Sequence, residues 1–281
     1  MSNQYIFLSG MFRTGSNLLS SILNQNKSIH SEGISPMCNI LWDFNLSISN
    51  ERTKNELLAV GKNNDEKIKK IIKSIFDSYY EKENKIIFDK NTSWTITENI
   101  KLLKKYITDK PKIIVLTRNI EDVAKSYINI LLQNGYSQDD AEQTVFNFDD
   151  VGRNPLMRPV SGVMNSKINN DLADFFYIDY DDLISNTKKV INDLYTFCNI
   201  PNFKHSYSNI ELKYPENPKY VFKNIIEVRP EISKRKIDVS LSQKALDKIN
   251  DINSLLNKIN IDPKNKKTIK EFNEFYFLNT H

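Results

Sequence analysis

The sequence predicts an α/β fold of three layers, a mostly parallel central sheet flanked by helices. Two observations carry this. Four short runs, residues 5–9, 85–89, 112–117 and 175–179, are continuous in apolar residues rather than alternating, as strands covered on both faces require. Each is followed by a stretch with apolar residues at helical spacing, and strands alternating with helices imply a parallel sheet.

Taken in order, the first strand leads through a glycine-framed turn into residues 16–23, where Leu18, Leu19, Ile22 and Leu23 share one helical face. Residues 67–80 form an amphipathic pattern with Ile68, Ile71, Ile72, Ile75 and Phe76. The second strand is followed by helical spacing over 96–107, and the third by the same over 120–132. Residues 133–170 contain Gly135, Gly152, Pro155, Pro159 and Gly162 and read as an irregular lid. The fourth strand precedes a helix over 188–199 with Val190, Leu194 and Phe197 in register. Residues 240–259 read as a C-terminal helix with Ser242 as N-cap. With no internal repeat and no linker, one domain is expected over 1–281.

Composition narrows the function classes. Of 281 residues 40% are hydrophobic, enough for a substantial core. No run of 18 apolar residues occurs, and the first residues lack a signal-peptide pattern, so a cytoplasmic protein without membrane insertion is expected. The net charge of +4 comes from 39 basic and 35 acidic residues that alternate rather than form a stripe, which argues against a nucleic-acid partner. Two cysteines and three histidines lack metal-ligand spacing, so no metal is expected.

The stretch "FLSGMFRTGSNLLSSIL" carries the first chemical signal. Gly10 and Gly15 frame a loop between a strand and a helix, where unpaired N–H groups and the helix dipole favour an anion. A phosphate-binding loop for ATP with Mg²⁺ continues with Lys and Ser/Thr. Here Ser16 and Asn17 stand in those places, and Arg13 is the only cation in the loop. The second signal is "IIVLTRNIEDVAKSYI". Arg118 ends a strand, where open α/β sheets bind ligands, and Ser126 lies eight residues on, about two helical turns. Residue chemistry alone also allows Asp122 as a structural ion-pair partner for Arg118.

"GMFRTGSNLL" resembles the 5′-phosphosulfate loop of sulfotransferases that use 3′-phosphoadenylyl sulfate (PAPS), closer to the tyrosylprotein and bacterial types than to the cytosolic steroid and phenol type. The fold this resemblance implies is a P-loop-like nucleotide-binding one. It assigns Arg13, Thr14, Gly15, Ser16 and Asn17 to the phosphosulfate, Asn17 departing from the usual Ser or Thr. It assigns Arg118 and Ser126 to the 3′-phosphate, and "FFYIDYDDLISNTKKVINDLYTFCNIP" is similar to a later family element that brings Tyr180 near the nucleotide. The implied reaction moves a sulfuryl group to an acceptor hydroxyl on a small molecule, a glycan or a peptide tyrosine. It releases adenosine 3′,5′-bisphosphate (PAP) and needs no metal.

Arg13 and Lys90, which follows the second strand, are the cations implied to stabilise the leaving phosphate. Glu32 lies near the position of the tyrosylprotein-type base, one or two residues out of register; His30 is the alternative base, and His205 a weaker one. The run "RPEISKRK" and Lys244 occupy the region of a family loop over the nucleotide, yet by composition they read as a solvated charge run. Trp42, Trp94 and residues 146–148 are candidates for an acceptor cleft or for core. Two other readings stay open from sequence: a P-loop kinase, disfavoured by the missing lysine, and a non-catalytic nucleotide- or glycan-binding relative.

Overall fold

The computed structural model describes residues 3–81, 85–149, 152–215, 217, 219–225, 228–234 and 236–277. Five parallel strands form one sheet in the order β2-β3-β1-β4-β5. They are β1 (Gln4–Gly10), β2 (Ile29–Ser31), β3 (Ile86–Lys90), β4 (Lys112–Thr117) and β5 (Asp174–Asp179). The four expected strands are present within a residue or so of their predicted limits. β2 was not anticipated.

Successive residues of the central strands point to opposite faces, and both faces are covered. Ile6, Leu8, Ile114 and Leu116 pack on one side with α1 (Ser16–Leu23) and α10 (Thr187–Cys198). Phe7, Ile113 and Val115 pack on the other. There they meet α4 (Asp65–Tyr80), α5 (Thr97–Tyr106), α6 (Ile120–Gln133), α8 (Met157–Ile168) and α11 (Gln243–Ile261). The remaining helices are α2 (Met37–Ser49), α3 (Glu51–Ala59), α7 (Gln138–Phe146), α9 (Tyr180–Ser185) and α12 (Lys266–Phe277). Ser242 caps α11 as expected, its side chain accepting from the Ala245 N–H. Among the described residues no helix is long and apolar enough to cross a membrane.

The expectation of an irregular lid over 133–170 is corrected. Two helices fill much of that segment, and Met157, Val160, Val163 and Met164 of α8 are wholly buried. Pro159 is tolerated as the third residue of α8, because first-turn N–H groups have no intrahelical acceptor. Gly162 sits where the helix presses on the turn after β3: a Cβ there would meet the Thr95 hydroxyl oxygen at 2.4 Å. Trp94 and Phe146 are core, while Trp42 is partly exposed on α2.

Candidate active site

The carboxyl ends of the parallel strands define the site. Gly10 ends β1 between its neighbours, opposite Leu116 of β4 and two residues beyond the Leu8–Lys90 pairing with β3. A Cβ at Gly10 would lie 2.1 Å from the Leu116 carbonyl oxygen, and its φ of +116° also favours glycine. The chain leaves β1 there and turns into α1, whose N-cap is Gly15 at φ 78°. The first-turn N–H groups of α1 thus open toward the sheet's carboxyl edge.

A cavity of about 370 Å³ lies over this edge. Its wall includes Gly10, Arg13, Gly15, Ser16, Asn17, Lys90, Arg118, Ser126 and Tyr180. Thr14 is buried beneath the loop, donating to the Met11 carbonyl at 2.8 Å. The two motifs, more than a hundred residues apart in sequence, meet directly. Arg118 Nη1 donates to the Arg13 carbonyl at 2.9 Å, and Arg13 Nε donates to Ser126 Oγ at 3.1 Å. The Arg118 guanidinium lies over the Tyr180 ring at 4.1 Å and pairs with Asp122 at 3.6 Å. Its buried Nε–H has no acceptor among the described residues. A Cβ at Gly15 would approach Leu183 at 3.1 Å and the Tyr180 ring at 3.3 Å, so α9 packs closely under the loop.

Lys90 Nζ donates to Asn17 Oδ1 at 2.9 Å. Asn17, the residue that departs from the usual hydroxyl, therefore orients the lysine. Next to Lys90, Asp89 is fully buried and accepts from Tyr80 Oη at 2.7 Å, Trp94 Nε1 at 2.8 Å and Ser35 Oγ at 3.1 Å. Burial pushes its carboxyl up to about 6, against the lowering effect of those three donors.

Glu32 follows β2 and is not part of the cavity wall, although Gly33 and Ile34 beside it are. Its carboxylate accepts from His30 Nε2 at 2.9 Å and from Tyr79 Oη at 3.1 Å. His30 Nδ1 lies 3.2 Å from Tyr214 Oη, so the network selects the Nε2–H tautomer. His205 is apart from this region, bonded to Tyr195 Oη at 2.9 Å, and burial lowers its pKa.

Three wall features were not read from the sequence. Phe12 and Tyr127 stack at 6.1 Å and line the cavity. Arg158 reaches it from α8. The run expected to be solvated contributes Arg229, Glu231, Ile232 and Ser233 to the wall, and Ile225 just before it accepts a hydrogen bond from Arg13. Lys234 of that run pairs with Asp181 at 2.8 Å, and Arg235 lies outside the described residues.

Solved structures with similar architecture are sulfotransferases. The sulfotransferase domain from the Synechococcus PCC 7002 olefin synthase aligns with a TM-score of 0.51 at 14% identity, over 90% of this chain and 94% of that one. The sulfotransferase domain from the curacin biosynthetic pathway gives 0.51 at 16%, over 92% and 98%. Mouse sulfotransferase SULT7A1, complexed with PAP, gives 0.50 at 13%, over 98% and 88%. No curated protein matches the chain. At such identities the likeness establishes the fold, whereas the sequence profile of the sulfotransferase family matches residues 5–205, well over half of the chain. Site loop, sheet and profile agree, and the chain belongs to the sulfotransferase family.

Proposed function

We propose that the chain is a PAPS-dependent sulfotransferase that sulfates an acceptor hydroxyl in this cavity. The observation that carries the reading is the junction of Arg13, Ser126 and Arg118, which gathers donors from two separate motifs at one anion site. The Arg118 guanidinium, whose Nε–H has no acceptor among the described residues, suits the 3′-phosphate of a nucleotide. Arg118 and Ser126 would hold that phosphate. Arg13, Thr14, Gly15, Ser16 and Asn17 would form the cradle of the phosphosulfate, with Tyr180 beneath the Arg118 guanidinium. Phe12 and Tyr127 offer an apolar wall for the purine.

Transfer would proceed in line, by analogy with phosphoryl transfer. The acceptor oxygen forms a bond to sulfur as the bond from sulfur to the 5′-phosphate oxygen breaks, and PAP leaves. Arg13, Lys90 and the loop amides face the charge that grows on that oxygen. Glu32 takes the acceptor proton, with His30 and Tyr79 orienting its carboxylate. A kinase reading lacks the loop lysine, since Ser16 stands in its place.

The test uses ³⁵S-labelled PAPS with a panel of hydroxyl acceptors. Label appearing in an acceptor, with PAP formed in equal amount, is the expected result. PAP-site binding without label transfer to any acceptor would leave a non-catalytic relative.

A further inference from the structure

We propose that Arg158 selects an acceptor carrying an anionic group, a carboxylate or a phosphate, beside the hydroxyl to be sulfated. This rests on the sulfotransferase reading above. The sheet order divides the cavity. Arg118 follows β4 and Tyr180 follows β5 on one side of the central β1 loop; Asn91, Thr92 and Ser93 follow β3, and Gly33 and Ile34 follow β2, on the other. With strands about 4.8 Å apart, the two sides are separated by more than a phosphate's width. The β2–β3 side is the part left for an acceptor once a nucleotide spans the loop and the β4–β5 side.

Arg158 belongs to that second side. Gly162 of the same helix presses on Thr95, with the Thr92 carbonyl 3.8 Å from a Cβ built there. Residues four apart share a helix face, and side chains lean toward the helix N-terminus. Arg158 therefore extends along the wall made by the turn after β3. Burial raises the pKa of the Cys38 thiol on α2, and the nearby Arg158 charge opposes that rise.

What distinguishes Arg158 is that it has no side-chain partner among the described residues. Arg13 donates to Ser126, Arg118 to the Arg13 carbonyl, Lys90 to Asn17 and Arg229 to Ser233. Arg158 lines the same cavity, partly buried, with no side-chain hydrogen bond or ion pair among the described residues. The acidic wall residue, Glu231, comes from the same stretch as Arg229, which also contributes Val228 to the wall. A guanidinium that lines a cavity without a side-chain partner among the described residues presents its planar fork to a ligand, and a carboxylate or phosphate answers it with two parallel hydrogen bonds.

The experiment uses the full chain as wild type, Arg158→Gln and Arg158→Lys, loaded with PAP for calorimetry and free of PAP for transfer. Paired probes are 4-hydroxybenzoate against 4-hydroxybenzamide and glycerol 3-phosphate against glycerol, followed by calorimetry and by ³⁵S transfer from PAPS. The wild type should prefer the charged member of at least one pair by roughly tenfold or more, and the responding pair identifies carboxylate or phosphate. Arg158→Gln should erase that preference, Arg158→Lys should keep part of it, and PAP affinity should match in all three proteins. No preference in any pair, or one that survives in Arg158→Gln, overturns the proposal. A fall in PAP affinity confined to Arg158→Gln also overturns it, by assigning the residue to the nucleotide. Failure of the wild type to bind PAP instead overturns the donor reading, and this proposal falls with it.

Discussion

Replacing Arg118 by alanine should separate nucleotide recognition from structural support. The guanidinium is 6% exposed, donates to the Arg13 carbonyl at 2.9 Å and stacks on Tyr180 at 4.1 Å. Its loss leaves that carbonyl without its donor and opens a gap beside Tyr180, a cost of about 1–3 kcal/mol in stability. Asp122 is 38% exposed and can hydrate, so it adds little. A charge-assisted contact to a phosphate is worth about 1.5–3 kcal/mol, or roughly tenfold to 150-fold in affinity. PAP has a 3′-phosphate that 5′-AMP lacks. Any distortion of the loop through the Arg13 carbonyl weakens both ligands, whereas a lost 3′-phosphate contact weakens only PAP. Calorimetry on wild type and Arg118→Ala with both ligands isolates the contact as a ratio of ratios, expected at about tenfold or more. A urea melt with an unchanged slope would show that the fold is intact. Equal weakening of PAP and AMP, or none in either, would refute the assignment.

Three further outcomes are expected. Glu32→Gln should lower turnover by about a hundredfold or more while PAP affinity stays within twofold; full activity would move the base role elsewhere, with His30→Gln tested next. Gly10→Ala should destabilise the fold by about 4 kcal/mol or more, because the new Cβ collides with β4 backbone at 2.1 Å in a left-handed conformation; an unchanged urea midpoint would contradict the close approach. The pH dependence of stability should report Asp89. Its folded carboxyl is raised to about 6 above an unfolded value of about 3.9, so the folded state holds the proton more tightly. Its stabilising protonation is complete below pH 4 and is lost as pH rises through 6, a change of about 3 kcal/mol. Urea midpoints of wild type and Asp89→Asn across pH 4–7 should diverge by that trend, and parallel curves would contradict it.

The legible parts of the fold are those whose physics is local. β1, β3 and β4 show as unbroken apolar runs because both faces of each are covered, while the edge strand β5 keeps the run although only Ile178 in it is buried. Ser242 announces α11 because a cap acts within three residues. β2 has no such local mark: it is three residues long and includes His30 and Ser31, which bond to Tyr214 and to the Ser20 hydroxyl from elsewhere in the chain. α8 was hidden by Pro159 and Gly162, read as breakers, although one occupies the first turn and the other answers a tertiary contact with Thr95. Arg158 lies in the first turn of that helix and so has no local mark of its own. In the site, the strand–loop–helix motifs carried Arg13, Gly15, Arg118 and Ser126 because their spacing fixes their placement. Glu32 beside the wall rather than on it, and residues 228–233 over the cavity, depend on long-range packing that no local pattern encodes.

The most direct test is calorimetric titration of the purified chain with PAP, with 5′-AMP and ATP·Mg²⁺ as comparisons. PAP should bind at least about tenfold more tightly than AMP if Arg118 and Ser126 hold its extra phosphate, as proposed. ATP·Mg²⁺ should bind more weakly than PAP, since the loop carries Ser16 where a lysine would be needed. ATP·Mg²⁺ binding as well as PAP, or PAP binding no better than AMP, would contradict the proposed function.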